Sequence, residues 1–204
     1  LSVTTSSTNI AAPKETIFVA IRGVKQDGHR FIGDAHQHGA VAAVVEDESA
    51  LGGRPGIIVP DTRRALSQIA ALIAGDPSAK LKTVGITGTN GKTTTHWIVR
   101  DLLSSLGCPT ARLGTLGYEV KGESGTTGLT TPDAVAVQSF LKLALERGCK
   151  AVVMEASSHA LDQCRVEDVQ FDAAVFTNLT RDHLDYHTDF ESYFKAKCHL
   201  FELV

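Results

Sequence analysis

Short apolar runs alternate along the chain with stretches whose apolar residues recur at helical spacing. The runs are too short for helices and lie at 17–21, 40–45, 56–59, 83–86, 151–154 and 173–176. A helical pattern follows the third run, where one face would carry Ala65, Leu66, Ile69, Ala70 and Ile73. Strands that alternate with helices usually pair in parallel, because each helical crossover returns the chain to the same end of the sheet. The sequence therefore predicts an α/β fold built on parallel sheets.

A break at Gly75-Asp76-Pro77-Ser78 divides the chain. Each side of this break is long enough to bury a core of its own. We expect a small N-terminal α/β domain over residues 1–80, followed by a doubly wound parallel-sheet domain over residues 81–204. The chain has no initiating methionine and stops inside a helical pattern near Lys197. We therefore expect both ends to be fragment boundaries and the second domain to be truncated.

Composition argues against several classes of partner. The formal net charge is −3 and no basic cluster stands out, so we expect no nucleic-acid partner. No apolar run reaches the roughly 20 residues that span a bilayer, and no secretory signal begins the chain, so we expect no membrane insertion. The cysteines form no CxxC pair and suggest no disulfide framework, which fits a reduced, cytoplasmic compartment; they are Cys108, Cys149, Cys164 and Cys198.

The strongest motif is a glycine-rich segment between the apolar run at 83–86 and a predicted helix. Its members are Gly88, Thr89, Asn90, Gly91, Lys92, Thr93 and Thr94. Small residues let backbone N–H groups approach phosphate oxygens, and a helix N-terminus adds partial positive charge. Lys92 would reach the β- and γ-phosphates of ATP, and the Thr93 hydroxyl would hold Mg²⁺. The segment thus predicts a P-loop, although the general pattern needs glycine where Ile86 stands; the alternative is a glycine-rich turn with an incidental lysine.

Polar residues follow two later strands, at the sheet edge where ligands of such folds bind. Glu155 ends the run at 151–154, and a carboxylate beside the phosphate loop suits Mg²⁺. The run at 173–176 is followed by a string that contains Asp182, His183 and Asp185. Two other interpretations of this string stay open: a metal phosphohydrolase site, or a helix N-terminus with acidic caps and solvated histidines.

Four strings in one order resemble the Mur ligases. They are Gly88–Thr94, Thr130-Thr131-Pro132, Glu155–Leu161 and Asn178–His187. The last two are similar to the MurE branch of the family, which extends UDP-N-acetylmuramoyl-L-alanyl-D-glutamate in peptidoglycan synthesis. The segment from Phe18 to Ile32 resembles the N-terminal domain of that branch, which holds the UDP end of the substrate. The likeness therefore covers nearly the whole chain.

The resemblance implies roles position by position. Lys92 and Thr93 match residues that bind ATP phosphate and Mg²⁺, and Glu155 and His183 match metal-binding positions. Lys197 matches a lysine that the family carries as a carbamate, so the implied catalytic residues are Lys92, His183 and Lys197. Contacts to the muramyl substrate are implied at Thr130, Thr131, Ser157, Gln163 and Arg165. One departure is that the early Asp-Ser-Arg of the family's uridine site has only Ser6-Ser7-Thr8 as its nearest match.

The implied reaction is ATP-dependent amide formation through an acyl phosphate, joining meso-diaminopimelate or L-lysine to the D-glutamyl carboxylate. ATP and Mg²⁺ would be the cofactors, and UDP-muramyl dipeptide and the amino acid the small-molecule partners. The family's C-terminal ligase domain is absent, so we expect this chain alone to be inactive. The alternatives are a MurE-like ligase for another acyl substrate and a P-loop nucleotide-binding module without ligase chemistry.

Overall fold

The chain folds into two compact units, Leu1–Ile73 and Ala74–Val204. The computed structural model describes residues 1–23 and 26–204. Among these residues, no helix is both long and apolar enough to cross a membrane.

The first unit contains a parallel sheet whose four strands lie side by side in chain order. Its strands are β1 (Ser2–Thr4), β2 (Thr16–Val19), β3 (Ala40–Val45) and β4 (Gly56–Ile58), and its helices are α1 (Ile32–Gln37) and α2 (Thr62–Ala74). The Asp61 carboxylate accepts the N–H groups of Arg63 and Arg64 at 2.8 and 3.1 Å and so caps the start of α2. The core joins β2, α1 and β3 through Phe18, Ala20, Ile32, Ala35, Ala40, Ala43, Val45 and Leu51.

The second unit contains a six-stranded sheet in the order β10-β5-β9-β6-β7-β8. Its strands are β5 (Lys82–Thr87), β6 (Thr110–Gly114), β7 (Gly117–Val120), β8 (Glu123–Gly125), β9 (Ala151–Glu155) and β10 (Ala173–Phe176). The helices are α3 (Lys92–Ser105), α4 (Ala134–Glu146), α5 (Ser158–Asp162) and α6 (Phe190–Cys198). The first four strands of the sheet order are parallel, which confirms the α/β class, whereas β7 and β8 form an antiparallel extension.

Helices cover both faces of the second sheet, as the doubly wound prediction requires. The alternation of side chains along β9 places Val152 and Met154 in one core with residues of α4. On the opposite face, α3 docks through His96, whose Nε2 donates to the Val153 carbonyl at 3.1 Å. Arg112 also lies on that face, 3.8 Å from the Trp97 ring centre. Ile98 and Leu102 of α3 are exposed, as is Leu106 just after its end.

Candidate active site

The glycine-rich segment forms the turn that the sequence predicts between β5 and α3. Gly88 and Gly91 have φ angles of +133° and +82°, which favour glycine. A side chain at position 88 would collide with the Thr177 hydroxyl, because the loop after β10 lies directly against the turn. Gly85 has a different role: a Cβ there would lie 2.8 Å from Leu200 Cδ1, so this glycine permits close packing within the core.

Asn178 fastens the glycine-rich turn to the end of β10. Its side chain accepts the Asn90 N–H at 3.0 Å and donates to the Asn90 carbonyl at 2.9 Å, and its carbonyl accepts the Thr89 N–H at 2.9 Å. The N–H groups of Thr89 and Asn90 are therefore engaged within the protein. The first turn of α3 carries N–H groups without intrahelical partners, and the helix dipole favours an anion there. The geometry thus favours the start of α3 as the phosphate-facing part of the loop.

Two lysines converge on one backbone carbonyl of this turn. Lys92 Nζ donates to the carbonyls of Gly88 and Thr89, both at 2.9 Å, and Lys197 Nζ from α6 donates to the same Gly88 carbonyl at 2.8 Å. Burial, and then the charge of Lys92, lowers the pKa of Lys197 from 10.5 to about 7. Burial also lowers the pKa of Lys92. A substantial fraction of Lys197 is therefore a neutral amine near pH 7, the form that can react with CO₂ to give a carbamate.

The buried amine of Lys197 should make the stability of the fold depend on pH. Between its folded pKa of about 7 and its unfolded value of 10.5, the unfolded chain holds a proton that the folded chain has lost. The free energy of unfolding should therefore rise with pH across this window, by up to about 1.4 kcal/mol per unit. Denaturant unfolding of this chain in CO₂-free buffer with chelator measures the slope. In Lys197→Met the slope should flatten, and an unchanged slope would contradict a depressed lysine pKa.

Glu155 is a fully buried carboxylate at the end of β9. Its oxygens accept the N–H and the hydroxyl of Thr115, at 3.1 and 2.9 Å. A side chain at Gly114 would collide with the carboxylate, so this glycine makes room for it. Both hydrogen-bond donors are neutral, and a buried carboxylate is costly without a positive charge nearby. Glu155 therefore fits the role of a cation ligand, and its charge opposes the lowering of the Lys92 pKa by burial.

A metal site in this region would need ligands besides protein side chains. In the described ranges, no group of three or more His, Cys, Asp and Glu side chains could hold a metal ion. The three residues Asp182, His183 and Asp185 thus form no such group, which counts against the phosphohydrolase interpretation. Mg²⁺ commonly binds through one or two carboxylates together with phosphate oxygens and waters. A centre with Glu155 and the nucleotide fits that pattern, and Thr93 lies half-buried in the first turn of α3.

His183 belongs to a cluster of histidine and tyrosine rings that includes Tyr193 of α6. Its ring centre lies 4.9 Å from that of His159 and 6.2 Å from that of Tyr193. Tyr193 is buried, its hydroxyl lies 3.0 Å from the Thr89 hydroxyl, and its ring centre lies 4.4 Å from Lys197 Nζ. His183 and Lys197 therefore flank the same tyrosine. The two predicted ligands are brought into one neighbourhood by a residue that the sequence did not single out.

The five predicted substrate residues form connected hydrogen bonds beside Glu155. Thr131 is buried, donates its hydroxyl to the Glu155 carbonyl at 2.7 Å and accepts the Ser157 N–H at 3.1 Å. Arg165 donates to the Thr131 carbonyl at 2.8 Å and to Gln163 Oε1 at 2.7 Å. The Thr130 hydroxyl lies 3.0 Å from that of Thr115. These contacts place the predicted substrate residues and the predicted metal ligand in one structural group.

Sequence reasoning missed three residues that organise this site, Thr115, Tyr193 and His96. Thr115 lies in a Gly- and Thr-rich stretch where no residue stands out, and Tyr193 lies in an ordinary helical pattern. His96 follows the phosphate loop by one helical turn, and this i, i+4 spacing from Lys92 was an available signal. Asn178 begins the string Asn178–His187, but the sequence analysis assigned it no role.

The family comparison identifies the chain. The family described as "Mur ligase middle domain" matches residues 86–204. This chain belongs to the Mur ligase family. A second description, "Mur ligase family, catalytic domain", matches residues 2–73.

Individual relatives of this Mur ligase chain point to one branch of the family. A UDP-N-acetylmuramoyl-L-alanyl-D-glutamate–2,6-diaminopimelate ligase of Geobacter sulfurreducens is 52% identical over 92% of the chain and 37% of its own length. The ligase of that name from Geobacter metallireducens is 48% identical over 91% of the chain and 36% of its own length. A solved structure of a ligase of this name has a TM-score of 0.85 at 32% identity, over 99% of this chain and 41% of its own. The chain thus spans about two fifths of these relatives' length.

Proposed function

We propose that the protein containing this chain is an ATP-dependent amide ligase that extends UDP-N-acetylmuramoyl-L-alanyl-D-glutamate with a diamino acid. One observation carries the proposal: Thr115 contacts both the buried carboxylate of Glu155 and the hydroxyl of Thr130. The predicted metal ligand and a predicted substrate residue thereby share a partner beside the phosphate loop. A ligase that phosphorylates a carboxylate needs its nucleotide, cation and acyl substrate to meet in this way.

The proposed chemistry proceeds in two steps. The D-glutamyl carboxylate attacks the γ-phosphorus of ATP, which forms an acyl phosphate and releases ADP. The amine of the incoming amino acid then attacks the acyl carbon, expels inorganic phosphate and loses a proton as the amide forms. Mg²⁺, when bound, would offset negative charge on the transferring phosphoryl group. Lys92 would neutralise charge at the phosphates, while Thr130, Thr131, Ser157, Gln163 and Arg165 would orient the acyl substrate.

The names of the relatives favour diaminopimelate as the amino acid. Both Geobacter ligases are named for 2,6-diaminopimelate. We therefore propose meso-diaminopimelate first and L-lysine second, with ATP, Mg²⁺ and a carbamate on Lys197 as the cofactor set. A cytoplasmic location follows from these nucleotide substrates.

The full-length protein should form ADP, phosphate and muramyl tripeptide only when all three substrates are present. The assay combines UDP-muramyl dipeptide, ATP and either diamino acid, with product identified by mass spectrometry. Nucleotide binding without any amide product would favour a P-loop module. Product from another acyl acceptor, but none from the muramyl dipeptide, would favour a ligase of different substrate class. Either result contradicts the proposal.

A further inference from the structure

Tyr186 lies in the string Asn178–His187, and the proposed chemistry gives it no part. It is half-buried, and its hydroxyl oxygen lies 3.0 Å from Nε2 of Gln163, one of the predicted substrate residues. The same oxygen lies 2.6 Å from Oδ2 of Asp162. Through this hydroxyl, the string that follows β10 reaches the group of predicted substrate residues beside Glu155.

The chemistry of the side chains fixes the direction of each hydrogen bond around Tyr186. The Arg165 guanidinium can only donate, so the Gln163 atom that it contacts at 2.7 Å must be the carbonyl oxygen Oε1. The amide nitrogen Nε2 therefore faces Tyr186 and donates to its hydroxyl oxygen. The hydroxyl donates its own proton to the Asp162 carboxylate. The donors thus follow one direction, from Arg165 through Gln163 and Tyr186 to Asp162.

Contacts that do not involve the hydroxyl hold the rest of Tyr186 in place. The centre of its ring lies 4.1 Å from that of His159 and 4.9 Å from that of His187. The Tyr186 N–H donates to the His183 carbonyl at 3.1 Å. The hydroxyl is therefore presented to Gln163 by a ring that is fixed independently of it.

The amide of Gln163 needs such a partner to keep one orientation. The terminal torsion of a glutamine side chain is broad, so hydrogen bonds rather than a rotamer fix the plane of the amide. Arg165 holds the oxygen end of the Gln163 amide, and Tyr186 holds the nitrogen end. Arg165 in turn donates to the Thr131 carbonyl at 2.8 Å. Loss of the Tyr186 hydroxyl would release one end of the amide and let the pair of Gln163 and Arg165 shift.

We propose that Tyr186 is a positioning residue for the acyl substrate, which holds the Gln163 amide and, through it, the Arg165 guanidinium in the orientation that receives the muramyl peptide. This inference rests on the proposed function, because that function makes Gln163 and Arg165 substrate contacts. Contacts that are oriented before the substrate arrives reduce the entropy lost on binding. Tyr186 acts through Gln163 and not by touching the substrate.

Removal of the hydroxyl alone tests this role. Tyr186→Phe keeps the ring beside His159 but leaves Gln163 Nε2 without its acceptor. Calorimetry on the full-length protein measures the affinity for UDP-muramyl dipeptide without nucleotide, and the affinity for ADP without the muramyl substrate. We expect Tyr186→Phe to weaken binding of the dipeptide substrate by about fivefold to tenfold and to keep ADP affinity within about twofold of wild type.

Tyr118→Phe is the matched control, because it also removes a tyrosine hydroxyl that donates to a carboxylate. That hydroxyl contacts Glu123 at 3.1 Å, between the neighbouring strands β7 and β8. Tyr118→Phe should change neither affinity.

A double-mutant cycle separates positioning of Gln163 from a general loosening of the loop. Gln163→Met keeps the length of the side chain and removes the amide. In the Gln163→Met background, Tyr186→Phe should weaken substrate binding by less than about twofold, because the group through which Tyr186 acts is already gone.

The other outcomes are decisive. Unchanged substrate affinity in Tyr186→Phe, an equal loss of ADP affinity, or the same loss in the Gln163→Met background would overturn the inference and leave the proposed function intact. A Tyr186→Phe protein that fails to fold, as thermal unfolding would show, would make the hydroxyl a structural element and overturn the inference as well. Failure of the wild-type protein to bind UDP-muramyl dipeptide would instead overturn the proposed function, and with it both proposals.

Discussion

Replacing Lys92 by alanine in the full-length protein should lower the rate of acyl-phosphate formation by about 1000-fold, while the UDP substrate still binds normally. The rate should fall because Lys92 is the cation of the phosphate loop, and preorganised charge of this kind commonly supplies a large part of phosphoryl-transfer catalysis. Uridine binding should persist because the family resemblance assigns the UDP end of the substrate to the N-terminal domain, which does not contain Lys92. Rapid-quench kinetics measures the first effect, and calorimetry with UDP-muramyl dipeptide alone measures the second.

Lys142→Ala provides the matched control for Lys92, since Lys142 is an exposed lysine on α4. It should leave both the rate and the affinity unchanged. A folded Lys92→Ala protein that loses the UDP substrate would contradict the proposed division of roles. A rate within about tenfold of wild type would contradict the assignment of Lys92 to the transferring phosphate.

Replacing Lys197 by alanine should lower ligase turnover by about 100-fold, and added short carboxylic acids should restore part of it. The physical reason is that an ammonium repels Mg²⁺, whereas a carbamate is an anionic oxygen ligand of the kind Mg²⁺ prefers. The buried position and depressed pKa of Lys197 favour the neutral amine that carbamate formation requires. The nitrogen of a carbamate keeps one N–H, so it could still donate to Gly88. Turnover is measured with and without acetate or propionate, and with and without bicarbonate.

The neighbouring Lys195 offers the control for this experiment. It lies on the same helix, is exposed, and pairs with Glu191 four residues earlier at 3.7 Å. Lys195→Ala should therefore retain activity and should not respond to carboxylic acids. Unchanged turnover in Lys197→Ala would rule out the role, and a loss that no carboxylic acid repairs would count against the carbamate.

Local patterns predicted the centre of the fold correctly because a parallel sheet constrains its sequence strongly. Buried strands appear as continuous apolar runs, and the run at 151–154 coincides with the first four residues of the fully buried β9. Strand ends then identify the site, because the carboxyl ends of parallel strands meet at one edge. Strands β6 (Thr110–Gly114) and β8 (Glu123–Gly125) were missed, since both are short and neither is a continuous apolar run.

The partners within the site were harder to predict, because their contacts join residues far apart in sequence. Thr115 meets Glu155 forty positions away, and Lys197 meets Gly88 across 109 positions. No local spacing encodes such pairs. The packing of α3 also depends on distant partners: Trp97 packs against Arg112 of β6, while Ile98 and Leu102 are exposed.

Oxygen transfer from the acyl substrate to phosphate tests the central claim most directly. UDP-muramyl dipeptide labelled with ¹⁸O in the D-glutamyl carboxylate is incubated with the full-length protein, ATP, Mg²⁺ and diaminopimelate, and the phosphate released is analysed by mass spectrometry. An acyl phosphate formed at the site around Lys92 and Glu155 places one carboxylate oxygen in each phosphate, so we expect one ¹⁸O per phosphate released. Unlabelled phosphate accompanied by amide product would contradict the account.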